Sequence, residues 1–204
     1  MGIESGQLPA DVKFRYQKDN GFQALVDSGI GRELSGSGYC WAACLDMALS
    51  PFIPDDAFRD SVITDSVKDE RLGHDAFTSK GELVTGRMGD LVDVVNGRLS
   101  AQNSRARLKL IEGLPLNDFH LELQKGRTVI FGIQYEDGGH VMVMDRAYRD
   151  GGKYIYTAYD PAEENPLKAR RSFDSLQLYG YQTYSDTKVL PFMISVGTEE
   201  IPSD

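Results

Sequence analysis

The 204-residue chain contains two cysteines, three histidines and no long hydrophobic run, and each scarcity excludes something. Two cysteines cannot make a disulfide framework, and Cys40 and Cys44 lie four residues apart on what reads as one helix, too poorly placed to bridge. Both are therefore read as free thiols. The longest apolar runs, "TVIFGI" (128–133) and "HVMVM" (140–144), are strand-sized, far short of the roughly 20 residues of a membrane helix. Positive charge is also scarce. A formal charge of −9 without a basic stripe argues against phosphate-backbone binding, so neither nucleic acid nor membrane is expected as a partner. The opening "MGIESGQLPADVKF" lacks a charged n-region followed by an apolar h-region, and position 6 is Gly where a myristoylation motif requires Ser or Thr. No internal repeat or low-complexity segment is found.

With 41% hydrophobic and 26% charged residues, the chain has enough apolar content for a substantial core. Residues 1–39, rich in Gly, Ser and Asp, read as an extended or loop-like arm. "CWAACLDMAL" (40–49) is free of Gly and Pro and repeats apolar residues at helical spacing, which predicts a buried helix stopped by Ser50-Pro51. Further helices are predicted over 54–63, 88–99 and 115–126. After Gly126 the period changes to two, and strands are predicted over 127–135, 140–149, 153–160 and 188–196, the first three separated by the turns "EDGG" and "DGG". The expected fold is α+β: one domain over 1–204, with a mainly helical lobe over 40–126, an antiparallel lobe over 127–197 and an acidic tail over 198–204.

Cys40 falls at a helix start, where the positive end of the macrodipole and unpaired N–H groups favour thiolate. Cys44 lies one turn deeper, where apolar surroundings keep a thiol inert. The loop "SGSG" before Tyr39 suits close backbone approach by a substrate. Ser35, Ser37, Gly38 and Tyr39, with Trp41 and Gly139 flanking the pair of reactive groups, form the expected oxyanion and substrate loop. A cysteine nucleophile needs a base. His120 lies inside a predicted amphipathic helix and His74 in a charged stretch, whereas His140 opens an apolar strand directly after Gly138-Gly139. A carboxylate should orient that imidazole. Strand alternation turns Asp145 away from His140. Asp160 comes diagonal to it if "DGG" is a three-residue hairpin loop with Arg149 opposite Lys153; a two-residue loop would flip the face.

"GYCWAACLDMAL", "GGHVMVMDRAY" and "YIYTAYDP" together resemble the papain-like cysteine peptidases in their compact bacterial form. The type III effector proteases of plant pathogens and the leader-processing peptidases of bacteriocin exporters are similar. The resemblance covers residues 35–50 and 138–161. It implies a central helix carrying Cys40 as nucleophile, a sheet carrying His140 as general base and acid and Asp160 as orienter, and Trp41 as a packing residue. It implies a protein or peptide substrate, no cofactor and no metal, and a bacterial chain that is cytoplasmic or delivered by a dedicated system into a host or competitor cell. The family's glutamine six residues before the cysteine, an oxyanion donor, is replaced by Leu34. Three readings stay open: Ser35 or Ser37 substitutes, Gln23 arrives from upstream, or activity is weak or directed elsewhere. Acyl transfer, deamidation and transglutamination use the same triad, and a binding module on a degenerate papain-like fold is the non-enzymatic alternative. Cys-x3-Cys on one helix is not a common zinc pattern.

Overall fold

A computed structural model describes residues 12–30, 39–72, 87–113, 119–135, 138–174 and 188–198. In chain order these form α1 (Asn20–Ile30), α2 (Cys40–Leu49), α3 (Asp56–Val67), α4 (Met88–Ala101), β1 (Ala106–Glu112), α5 (Phe119–Gln124), β2 (Thr128–Tyr135), β3 (Gly138–Asp150), β4 (Lys153–Tyr159), α6 (Pro166–Ala169), β5 (Arg170–Asp174) and β6 (Lys188–Thr198). The strands make one antiparallel sheet in the order β1-β6-β2-β3-β4-β5. The fold is α+β, as the change of period predicts. Among the described residues no helix is long and apolar enough to cross a membrane.

Helix α2 is the centre of the molecule. All ten of its residues are buried, nine of them apolar and the tenth, Asp46, paired with arginines. It packs on β2, β3 and β6 and on α3. Helices α1 to α4 share one core with the near face of the sheet, where Ile130, Val141, Val143, Ile194 and Val196 point inward. The alternate residues Phe131, Ile133, Met142, Met144 and Met193 enter a second core on the far face, closed by Phe119 and Leu123 of α5. The sheet is therefore covered on both faces.

Other expectations need correction. The first 39 residues are not all loop: Asp19 caps a helix by accepting the N–H of Phe22 at 2.8 Å, and Phe22 and Val26 of α1 are buried. Gly29 allows α1 to approach α3, because a Cβ there would stand 2.2 Å from Val67 Cγ2. The segment 40–126 contains β1, which is half-exposed at one sheet edge. The side-chain amide of Asn96 bonds both the N–H and the C=O of Leu108 at 2.9 Å, so a helix side chain pairs backbone groups that an edge strand otherwise leaves open. Gly138 and Gly139 belong to β3 and not to a turn.

The stretch 12–17 straps the helical half to the sheet half. Lys13 N–H donates to Ser50 Oγ at 2.8 Å, Arg15 reaches Asp46 and Asp60 at 2.9 and 3.2 Å, and Gln17 N–H donates to Pro161 O at 3.0 Å. Beneath it, Arg59 is 1% exposed and is paired with Asp46 at 2.8 Å, the carbonyl of Ile53 at 2.6 Å and Asp56 at 2.7 Å. Asp46 thus holds two guanidinium groups against α2. Removing one partner of a buried pair leaves the other charge without compensation, so Asp46→Ala is expected to lower unfolding free energy by about 3–5 kcal/mol in urea titrations. A loss within about 1 kcal/mol would mean that the network does not hold α2 in place.

Candidate active site

The hairpin β3–β4 decides whether the sequence-predicted triad assembles. Its turn has two residues, Gly151 and Gly152, both at positive φ (52° and 84°), with Asp150 opposite Lys153. That corrects the expected three-residue loop, and by itself it would put Asp160 on the wrong face. A β-bulge between Met144 and Arg146 inserts Asp145 as an extra residue and restores the offset, so that Val143 lies opposite Tyr159. The next step along the pair sets Asp160 beside Met142, two residues from His140. Two deviations cancel.

His140 Nε2 lies 2.7 Å from Asp160 Oδ1. Cys40 acts on the same imidazole and favours its charged form; with Nε2 on the carboxylate, Nδ1 is the ring nitrogen left for the sulfur. Cys40 is the first residue of α2, 8% exposed, and Tyr39 at the N-cap makes no side-chain capping bond. The N–H groups of the first turn therefore meet the site without a capping side chain in the way. Asp160 Oδ1 also accepts the N–H of Ala162 at 2.9 Å, and Arg171 Nη2 lies 2.8 Å from Asp160 Oδ2. The Asp160 N–H donates to Ala169 O at 2.9 Å, so the carboxylate is fixed at both main chain and side chain.

Burial works against the imidazolium of His140, but the hydrogen bonds and charges of Asp160 and Cys40 outweigh it and raise the pKa to about 9. Burial likewise opposes ionisation of Asp160, and it is outweighed by the bonds from His140 and Ala162 and the charges of His140 and Arg171, which hold the carboxyl below its usual range. Burial pushes the Cys44 thiol well up, with the charges of Cys40 and Asp160 adding to it, and its Sγ donates to Val141 O at 3.3 Å. Cys44 is thus buried and favoured as the neutral thiol.

The other predicted residues divide. Asp145 is excluded as orienter: its oxygens take Thr157 Oγ1 at 2.6 Å and Arg170 Nη2 at 2.8 Å. His120 stacks on Tyr154 with ring centroids 4.8 Å apart, on the helix that covers the far face. Tyr39 is buried and its hydroxyl donates to Asp27 at 2.7 Å, so its side chain anchors α1 and does not form a substrate loop as expected. Trp41 is buried and, with Leu45, Met88, Leu91 and Val141, lines a small apolar void behind the pair, which fits a packing role. Gly139 is exposed, directly before the histidine. Leu34, Ser35, Ser37, Gly38 and His74 lie outside the described residues.

One residue escaped the sequence reading. Gln17 is 4% exposed, its Oε1 has no hydrogen-bond partner, and its backbone is bonded to Pro161, the neighbour of Asp160. Gln23, weighed as a donor from upstream, instead spends its amide on Gln17 O at 3.2 Å. The missing signal was distance: Gln17 precedes Cys40 by a whole helix, α1. Among the described residues no group of three or more His, Cys, Asp or Glu stands where it could hold a metal ion. No protein-family model matches the chain, and no curated protein matches it.

Because the folded pKa of His140 is raised, its contribution to stability is complete below its ordinary value of 6.5 and is lost as pH rises through about 9. In NMR titrations the His140 ring is expected to show a midpoint near 9, falling in Asp160→Ala as burial acts against a weakened set of partners. A midpoint unmoved by Asp160→Ala would mean that the carboxylate does not act on the ring.

Proposed function

We propose that the chain is a papain-like cysteine peptidase in which Cys40, His140 and Asp160 form the triad. The observation that carries this reading is the 2.7 Å bond from His140 Nε2 to Asp160, with Cys40, from the start of a third element, α2, acting on the same ring. Such an arrangement gives a nucleophile, a proton carrier and an orienter within bonding range of one another.

The reaction follows from those positions. The Cys40 sulfur, its proton held on His140, attacks the peptide carbonyl carbon, forming a C–S bond and an oxyanion. The N–H groups at the start of α2 are oriented to stabilise that oxyanion. Collapse breaks the C–N bond as His140 passes its proton to the leaving amine, and an acyl-enzyme remains on Cys40. Water then gives one proton to His140 and adds its oxygen to the acyl carbon; cleavage of the C–S bond releases the acid and restores the sulfur–imidazolium pair. Asp160 stays ionised throughout and keeps Nε2–H occupied, so that the other ring nitrogen faces the sulfur.

The oxyanion is left to the N–H groups at the start of α2: the atom of the buried Gln17 amide that has no partner is Oε1, an acceptor, which cannot stabilise it.

Incubation with a mixture of unfolded proteins, followed by labelling of new N-termini, tests the reaction itself. New termini are expected with the wild type and absent with Cys40→Ser. Released ammonia or isopeptide products without new termini would assign the triad to deamidation or transfer in place of hydrolysis.

A further inference from the structure

Asp160 carries more cation than an orienting carboxylate needs. Its Oδ1 already accepts His140 at 2.7 Å and the Ala162 N–H at 2.9 Å, and these two bonds fix the direction in which it faces the ring. Its Oδ2 is engaged by Arg171 at 2.8 Å, from a side chain 51% exposed. The fold delivers that arginine by a closed route. The segment after Asp160 turns through α6, whose N-cap Asn165 accepts the N–H of Leu167 at 2.9 Å, and returns to bond Ala169 O to Asp160 N–H. Strand β5 then pairs with β4, placing Arg171 opposite Ala158. Its neighbour Arg170 serves the other buried carboxylate of the hairpin, Asp145, at 2.8 Å. Consecutive arginines thus answer consecutive needs, one at the bulge and one at the triad.

We propose that Arg171 is a positioning residue of the triad: by sharing the charge of Asp160 from the Oδ2 side, it limits how tightly His140 holds its proton and so keeps the ring an effective proton donor. This rests on the peptidase reading of the same site. Among the described residues, the groups facing the His140–Asp160 pair are Cys40 and Cys44 from α2 and Arg171 from β5, and Arg171 is the cation of that set. Proton transfer to a leaving amine is faster from an acid whose pKa lies near the working pH, and an unshared carboxylate would move the ring further from it. Because Ala162 still holds Oδ1, loss of the guanidinium leaves the carboxylate facing the ring, and charge alone sets the sign. A cation removed from the far side of Asp160 makes the imidazolium more favourable.

The test is an NMR titration of His140, one of three histidines in the chain, in wild type, Arg171→Gln and Arg171→Lys. The midpoint is expected to rise by about half a unit in Arg171→Gln, discounted for the exposure of the arginine, and to return in Arg171→Lys, which keeps the charge. Arg171→Met, which keeps the aliphatic stem, supplies the same readout should the glutamine variant not fold. Lys168→Gln removes an equal charge from an exposed side chain of α6, three residues away, and is expected to leave the midpoint in place. An unchanged or lowered midpoint in Arg171→Gln overturns the proposal, as does an equal rise in Lys168→Gln, which would report only bulk charge. Iodoacetamide labelling of Cys40 in His140→Ala separates the two levels. If labelling is indifferent to His140, the peptidase reading fails and Arg171 has no triad to serve; if labelling depends on His140 but the midpoint does not move, this inference alone fails.

Discussion

The 2.7 Å bond between His140 and Asp160 is the constraint on which the site depends, because neither residue can reach the other unless the β3–β4 register is right. A two-residue glycine turn and a bulge at Asp145 together set that register. Either feature alone would shift the pairing by one residue and send the carboxylate to the other face. The bulge is itself held: Asp145 is 3% exposed and is tied to Thr157 on β4 and Arg170 on β5. Bulges beside reactive sites commonly re-aim a side chain, and here the re-aimed residue lies on the partner strand.

The second requirement is that the start of α2 sit at the same end of the sheet. A helix buried on all sides has no surface by which to adjust, so its position is set by what clamps it. Thr128 Oγ1 donates to Ala48 O at 2.8 Å from β2, and Cys44 Sγ donates to Val141 O from within the helix. From outside, Asp46 is gripped by Arg15 and Arg59. The strap that carries Arg15 continues to Gln17 and Pro161, so the helix carrying the sulfur and the turn carrying the carboxylate are joined by one short piece of chain. The far side is held separately by Glu122 of α5, which takes Ser195, Lys125 and Arg127 at 2.6, 2.6 and 2.8 Å. Burial opposes ionisation of that carboxyl, and the three donors overcome it and lower its pKa to about 2.

Residue pattern made much of this legible. "CWAACLDMAL" could only be a buried helix, and the change of period after Gly126 marks β2, β3 and β4 within two residues of their ends. His140 and Asp160 were identifiable because a thiol nucleophile needs a base and an orienter and few candidates existed. What pattern could not supply was set by tertiary contact. Strand β1 was missed because "ARLKLIE" carries three charges and alternates only in part, and it becomes a strand by pairing with β6 far along the chain. Helix α1 was missed because Gly21, Ser28 and Gly29 dilute its period, although Asp19 was a legible cap. The bulge at Asp145 and the arrival of Gln17 beside Pro161 have no local signature at all. The register inference reached the right partner for His140 from a wrong turn length, which shows how a compensating irregularity hides from period counting.

The central claim is that the sulfur of Cys40 is kept reactive by one ring, and its counterpart Cys44 supplies an internal standard in the same molecule. Competitive alkylation near pH 6 with mass-spectrometric counting of both sites measures this directly. The expected result is labelling of Cys40 far ahead of Cys44, with the advantage abolished in His140→Ala. Equal, slow labelling of both cysteines in the wild type would contradict it, and the contact chain would then be no more than packing.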